Sequence, residues 1–294
     1  MELATPITIY WDIPTDPMNA GAIQRICSDV RDCSPLMLQL YYDSTVQSGD
    51  VLSIILEQFK GSRIAVSLTI PAVAVETAPR DYLKGIDLKE LLLYTDNHDV
   101  LADALFSAKT LSAPVPGISY SVTRENWRQL PKLVELCRIE GINRLVLPMQ
   151  RLYNNEVPFF ITRLEQQELA DHLSKFGGVK DLSLTIHDPF LWRAFNPGIP
   201  FPQAGCQAAN TMIAISPDGG VFPCPSLPVS LANIGHKSLK EIILSTEKKE
   251  FRRRLLTPPG DCCDCAEISI CRGGCRGRGL VQEGSLNGID KACR

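Results

Sequence analysis

This 294-residue chain contains no run of about 18 apolar residues, the length that a membrane-spanning helix needs. Its start, Met1-Glu2-Leu3-Ala4-Thr5-Pro6, lacks the basic-then-apolar pattern of a secretory signal, so a cytoplasmic protein without a membrane partner is expected. An excess of positive charge is also absent. Lys and Arg number 30 against 33 Asp and Glu, a formal net charge of −3, which gives no general attraction to nucleic acid or anionic lipid. With 45% hydrophobic and 21% charged residues, the composition excludes disordered, collagen-like and coiled-coil classes. Cysteine is scarce over the first 205 residues, at three, and then abundant: eight of the eleven lie from 206 onward. The odd total argues against complete disulfide pairing, and in a reducing compartment clustered thiols more often hold metal.

Seven apolar, β-branched runs read as strands: Ile7 to Ile13, Leu36 to Tyr42, Ile64 to Ile70, Leu91 to Thr95, Ile118 to Val122, Arg144 to Pro148 and Leu182 to Ile186. Most are nearly continuous rather than alternating, as when both faces of a sheet are covered. Helical patterns lie between them. Leu52, Ile55, Leu56 and Phe59 share one face, with Asp50 placed to cap the start and Gly61 to end it. Thr162 and Glu165 form a capping box before Leu169, Leu173 and Phe176, and Gly177 closes that helix. Pro131 should kink or delay the helix predicted over 124–140. Strand and helix units in alternation imply an α/β fold with a parallel sheet, a barrel or part of one. No internal repeat is visible. The run 196–205, with three prolines, reads as the boundary between a barrel domain at 1–195 and a second domain at 196–294.

The later cysteines have a specific spacing: Cys206-x12-Gly219-x4-Cys224, then Cys262-x2-Cys265-x5-Cys271-x3-Cys275, then Cys293. Seven thiolates so spaced cannot form one tetrahedral site, although zinc and iron–sulfur clusters both remain open on spacing alone. Ser216 to Gly220 reads as a hairpin turn delivering Cys224 from the end of its second strand. The knuckle Cys271-Arg272-Gly273-Gly274-Cys275 leaves the backbone free to bend around a cluster and to aim amides at it.

In that order, with ISPDGGVFPC, ANIGHKSLKEII, the Cys-x2-Cys-x5-Cys-Arg-Gly-Gly-Cys run and a final cysteine, the last ninety or so residues resemble the SPASM domain of radical SAM peptide-modifying enzymes. The resemblance implies two [4Fe-4S] clusters, one held by Cys206, Cys224 and Cys275, the other by Cys262, Cys265, Cys271 and Cys293. Many members carry a further cysteine shortly after the first; Gln207 to Met212 contains none, leaving the first cluster with three protein thiolates. Cys263 fits no ligand position, and Cys27, Cys33 and Cys137 read as small buried hydrophobes.

The same resemblance implies that the upstream segment is a partial (β/α)6 barrel of the radical SAM type, but a degenerate one. Such enzymes carry Cys-x3-Cys-x2-Cys after the first strand; here Ile7 to Ile13 is followed by Pro14 to Gly21 with no cysteine before Cys27. The Gly-Gly-Glu motif after the second strand is replaced by Tyr42-Asp43-Ser44-Thr45. No S-adenosylmethionine site is therefore expected. These departures are shared with the SPASM protein of the GeoRSP system, and imply an accessory protein that works with a separate radical SAM enzyme on a peptide by electron relay or docking. Two alternatives stand beside it. One is a stand-alone enzyme with an open iron as Lewis acid, flanked by Asp12, His187 and Asp188; the other is a cluster-stapled peptide-binding scaffold. His236, just before the capping box Ser238 to Glu241, reads as a solvent residue, and the basic run Arg252 to Arg254 as a solvated helix face or a dock for an acidic leader peptide or partner surface.

Overall fold

A computed structural model of the chain describes residues 3–14, 20–42, 49–74, 88–109, 116–154, 157–175, 178–179, 182–200 and 205–293. All seven apolar runs form strands: β1 Thr8–Asp12, β2 Met37–Tyr41, β3 Ala65–Pro71, β4 Glu90–Thr95, β5 Gly117–Tyr120, β6 Arg144–Leu147 and β7 Ser183–Ile186. They pair in parallel in chain order. β3, with six consecutive buried residues from Val66, shows why these runs do not alternate: helices cover one face and barrel contents the other. The sheet stays open, so the partial barrel is confirmed, with β7 extending the six strands that the resemblance implies.

The other edge is built by the C-terminal third. β8 (Met212–Ile215) pairs parallel with β1, and β9 (Gly220–Phe222) and β10 (Ala232–Asn233) continue antiparallel, giving the order β10-β9-β8-β1-β2-β3-β4-β5-β6-β7. One sheet thus crosses the expected junction at 196. Ile213, Ile215, Val221, Leu239 and Ile242 belong to the same hydrophobic core as the barrel strands. A smaller core of Ala208, Ala209, Cys224, Leu227, Phe251, Leu255 and Leu286 lies beyond it.

Helix boundaries follow local chemistry. The helix predicted after Asp50 spans Gly49–Phe59, and the Asp50 side chain expected to cap it lies outside the described residues. The Thr162–Glu165 box forms as read: Thr162 N–H donates to Glu165 Oε2 at 2.8 Å, and Glu165 N–H donates to Thr162 Oγ1 at 3.4 Å, an arrangement worth about 1 kcal/mol. That helix spans Arg163–Lys175; Phe176 and Gly177 lie outside the described residues. Pro131 sits in the first turn of the helix Leu130–Ile139, after a short 3-10 turn at Trp127–Gln129, so it delays the helix without kinking it.

Cys27, Cys33 and Cys137 are buried on helices against the barrel. Burial pushes the Cys27 and Cys137 thiols up to about 12 and Cys33 to about 11, so they remain protonated packing groups at neutral pH. No helix among the described residues is long and apolar enough to cross a membrane.

Candidate metal centre

The hairpin forms where the turn residues place it. Ser216 N–H donates to Gly220 O at 2.9 Å, and β9 leads directly to Pro223 and Cys224. Ala209 N–H donates to Pro223 O at 2.8 Å, which ties the Cys206 loop to the end of the hairpin. Arg252 holds the same loop from below, its guanidinium donating to Cys206 O at 2.6 Å and Ala208 O at 3.0 Å. The basic run is therefore not all solvated face: Arg252 is buried, while Arg253 and Arg254 are exposed. His236 is exposed as expected, ahead of a complete Ser238–Glu241 capping box.

Cys275 enters from the helix Arg276–Glu283. At Gly277 this helix meets the loop after Cys224 so closely that a Cβ would stand 1.7 Å from Ser226 O. Cys206, Cys224 and Cys275 are thereby gathered, and the charges of Cys206 and Cys275 both bear on Cys224. Amides turn inward upon the three sulfurs: those of Ala208 and Arg276 toward Cys206, Ser226 and Leu227 toward Cys224, and Arg278 toward Cys275. Such donors favour thiolate and cluster sulfide charge. Burial pushes the Cys275 thiol up to about 12 and Cys224 well above its ordinary value, so loading this set at neutral pH must release protons.

The second set gathers in the segment that follows. Cys265 N–H donates to Cys262 O at 3.1 Å, closing the Cys-x2-Cys turn. The short helix Ile268–Cys271 stops at Arg272, φ 52°, and Gly273 and Gly274 continue with φ of 94° and 66°. Three consecutive left-handed residues turn the chain back on itself, and the amides of Gly273 and Gly274 point at Cys271. Cys262 has Cys293, Cys271 and Cys265 as its charged neighbours. Cys263 is exposed, its thiol near Pro259 O at 3.8 Å. In protein loaded with iron, Cys263 is expected to alkylate first, and Cys263→Ala to leave iron content unchanged; loss of iron would make it a ligand.

Among the described residues, no group of three or more His, Cys, Asp or Glu stands close enough to share a single metal ion. Thiol-only donors in two sets, met by inward amides, fit polynuclear iron–sulfur groups, in which each thiolate takes a different iron.

A cavity of about 300 Å³ opens between these loops and the ends of β5, β6 and β7. Cys206, Cys224 and Cys275 line one wall; Val122, Met149 and His187 line the barrel side. From the second set only Cys271 reaches it. His187 is half-buried, edge-on to Tyr10, and desolvation lowers it to about 4, so the imidazole is neutral at pH 7. The carboxylates of Asp12 and Asp188 are engaged in structure. Asp188 caps the helix Pro189–Phe195 and pairs with Arg278. Asp12 takes a two-pronged bond from Arg151 Nε, at 2.9 and 2.8 Å, and the Arg151 guanidinium lies 3.8 Å from the Tyr41 ring centre. This pair bridges β1 to the segment after β6, with about 30 Å³ of space beside Arg151. The stretches lacking the two radical SAM motifs fall largely outside the described residues, at 15–19 and 43–48.

Several organising residues carry no metal-ligand signal in the sequence. Arg278 is buried, donates to both carboxylate oxygens of Asp290 at 2.6 and 2.7 Å, and also reaches Asp188. Asp290 accepts the amide of Cys275 at 2.8 Å, and its carbonyl accepts the amide of Cys293 at 3.0 Å. One ion-pair cluster thus positions a ligand loop of each set against the barrel. The alternation Arg276-Gly277-Arg278-Gly279, unusual inside a helix, is the sequence signal that marks it.

Residues 206–266 match the SPASM family, described as an iron–sulfur cluster-binding domain. That segment contains Cys206, Cys224, Cys262, Cys263 and Cys265. The chain is 28% identical over 247 residues to the mycofactocin maturase MftC of Mycolicibacterium smegmatis (strain ATCC 700084 / mc(2)155), covering 76% of this chain and 60% of that protein. It therefore spans less than two thirds of that relative. Among solved structures, Streptococcus suis SuiB superposes with a TM-score of 0.73 at 17% identity, over 100% of this chain and 78% of SuiB. SuiB bound to the precursor peptide SuiA gives 0.72 at 16% identity, over 100% and 77%. Native anSMEcpe with bound AdoMet gives 0.68 at 14% identity, over 97% and 94%. These structures share the fold of the whole chain, a partial barrel with its C-terminal domain.

Proposed function

We propose that this protein is an iron–sulfur accessory factor in peptide modification, holding two [4Fe-4S] clusters and working with a separate radical SAM enzyme. The observation that carries this reading is the pairing of seven C-terminal thiols in two sets with a barrel that supplies no cysteine triplet. Seven thiols fall into two mutually interacting sets, whereas the chain between β1 and the helix Ala20–Cys33 contains none. The SPASM match supports cluster binding, and likeness to a maturase and to a precursor-peptide complex supports a peptide as substrate. As in the GeoRSP resemblance, the absence of the initiating motif supports a partner that generates the radical. No S-adenosylmethionine site belongs to this reading.

Bound clusters supply one-electron transfer, and a three-thiolate set leaves one iron without a protein thiolate. The chain's own residues define where that happens. Cys206, Cys224 and Cys275 face the cavity at the barrel mouth, where a peptide side chain has room, while Cys265 and Cys293 are exposed, within reach of an external partner. Val122, Met149 and Phe159 give the barrel side of the cavity an apolar lining. Deleting the protein from a producing cell is expected to leave the peptide unmodified, as read by mass spectrometry. Normal modification, or cleavage of S-adenosylmethionine by this protein alone, would sink the accessory reading.

A further inference from the structure

Arg276 lies between the two thiol sets. It follows Cys275 directly, lines the cavity with Cys206, Cys224 and Cys271, and is only 1% exposed. Its terminal nitrogens are fixed by backbone carbonyls: Thr257 O at 2.8 Å, Leu255 O at 3.5 Å, and Leu286 O. Its Nε is buried with no hydrogen-bond partner among the described residues. A guanidinium locked by three carbonyls has no freedom to turn that donor elsewhere, so its position is set by the scaffold. Its charge bears on Cys206 in one set and on Cys262 in the other. Arg252 and Arg278, the other buried guanidiniums here, bear on Cys206 and on Cys275, both in the first set.

We propose that Arg276 is the shared electrostatic partner of both cluster sites and raises the reduction potential of each. The inference rests on the two-cluster reading. Reducing a [4Fe-4S] cluster adds one negative charge, and a fixed neighbouring cation favours the more negative state. A single cation between two clusters raises both potentials together, so its loss lowers both. Arg276 is in this sense a positioning residue for charge and not a ligand.

The test is an EPR-monitored redox titration of the full-length, iron-loaded protein, with dithionite as reductant and iron and sulfide measured on the same samples. Arg276→Gln is expected to move both midpoints to more negative values, Arg276→Lys to keep both near the parent values, and Arg252→Gln to move the first alone. If glutamine prevents loading, Arg276→citrulline decides the matter. Ligation at the native Cys275 installs it, preserving the shape and removing the charge. Both midpoints shifting negative supports the proposal; unchanged midpoints, or a shift in only one cluster, overturns it. Parent protein without iron and sulfide would instead refute the two-cluster reading itself, so the two failures are distinguishable.

Discussion

Gly277→Ala is expected to abolish the first thiolate site while leaving the second. The added Cβ would stand 1.7 Å from Ser226 O, 2.5 Å from its carbonyl carbon and 3.1 Å from Leu227 Cα, all backbone atoms that no rotamer change can move. Overpacking of this kind costs about 1–3 kcal/mol or somewhat more. Better helix propensity returns only about 1 kcal/mol. The helix Arg276–Glu283 must therefore separate from the loop after Cys224, taking Cys275 away from Cys224. The amides of Ser226 and Leu227 that serve Cys224 move with that loop. Iron should fall from about eight to about four per chain, with the loss confined to one of two EPR signals. Parent-like iron content together with a parent-like melting temperature would show that the close approach does not position the site.

A larger loss of stability is expected from Arg278→Met. The Arg278 side chain is 2% exposed and Asp290 1%, so removing the cation strands a buried carboxylate, and Asp188 loses its partner as well. Breaking a buried pair from one side costs about 3–5 kcal/mol. The effect should reach both clusters, because Asp290 takes the amide of Cys275 from one set and of Cys293 from the other. Denaturant unfolding and iron content together test this. Arg278→Lys restores the charge without the planar fork and should recover part of both. Loss of one cluster only, or a stability change below about 1 kcal/mol, would contradict the shared-anchor role of this ion pair.

The parallel sheet was legible because its strands are continuous β-branched runs, and that pattern has a single cause, burial on both faces. Helix ends were legible where a side chain closes a hydrogen bond, as at Thr162–Glu165 and Ser238–Glu241. The continuation of the sheet through β8 was hidden, since a strand written as Met212 to Ile215 states that it pairs but not with whom. In the site, thiol spacing marked the donors, and the fold gathers Cys206, Cys224 and Cys275 from three distant segments. Arg276, Arg278 and Asp290 were invisible because their roles come from burial and from partners far along the chain, which spacing cannot express. Arg252 was misread for the same reason: three adjacent arginines look alike until one of them turns inward.

The central claim is that this chain holds two iron–sulfur clusters at its C-terminal thiols in the absence of an initiating cluster in the barrel. One anaerobic preparation assayed for iron, acid-labile sulfide and zinc tests it most directly. The account predicts about eight irons per chain with matching sulfide, and no zinc. About twelve irons would place a third cluster in the barrel, and zinc without sulfide would replace the clusters altogether; either result contradicts the account.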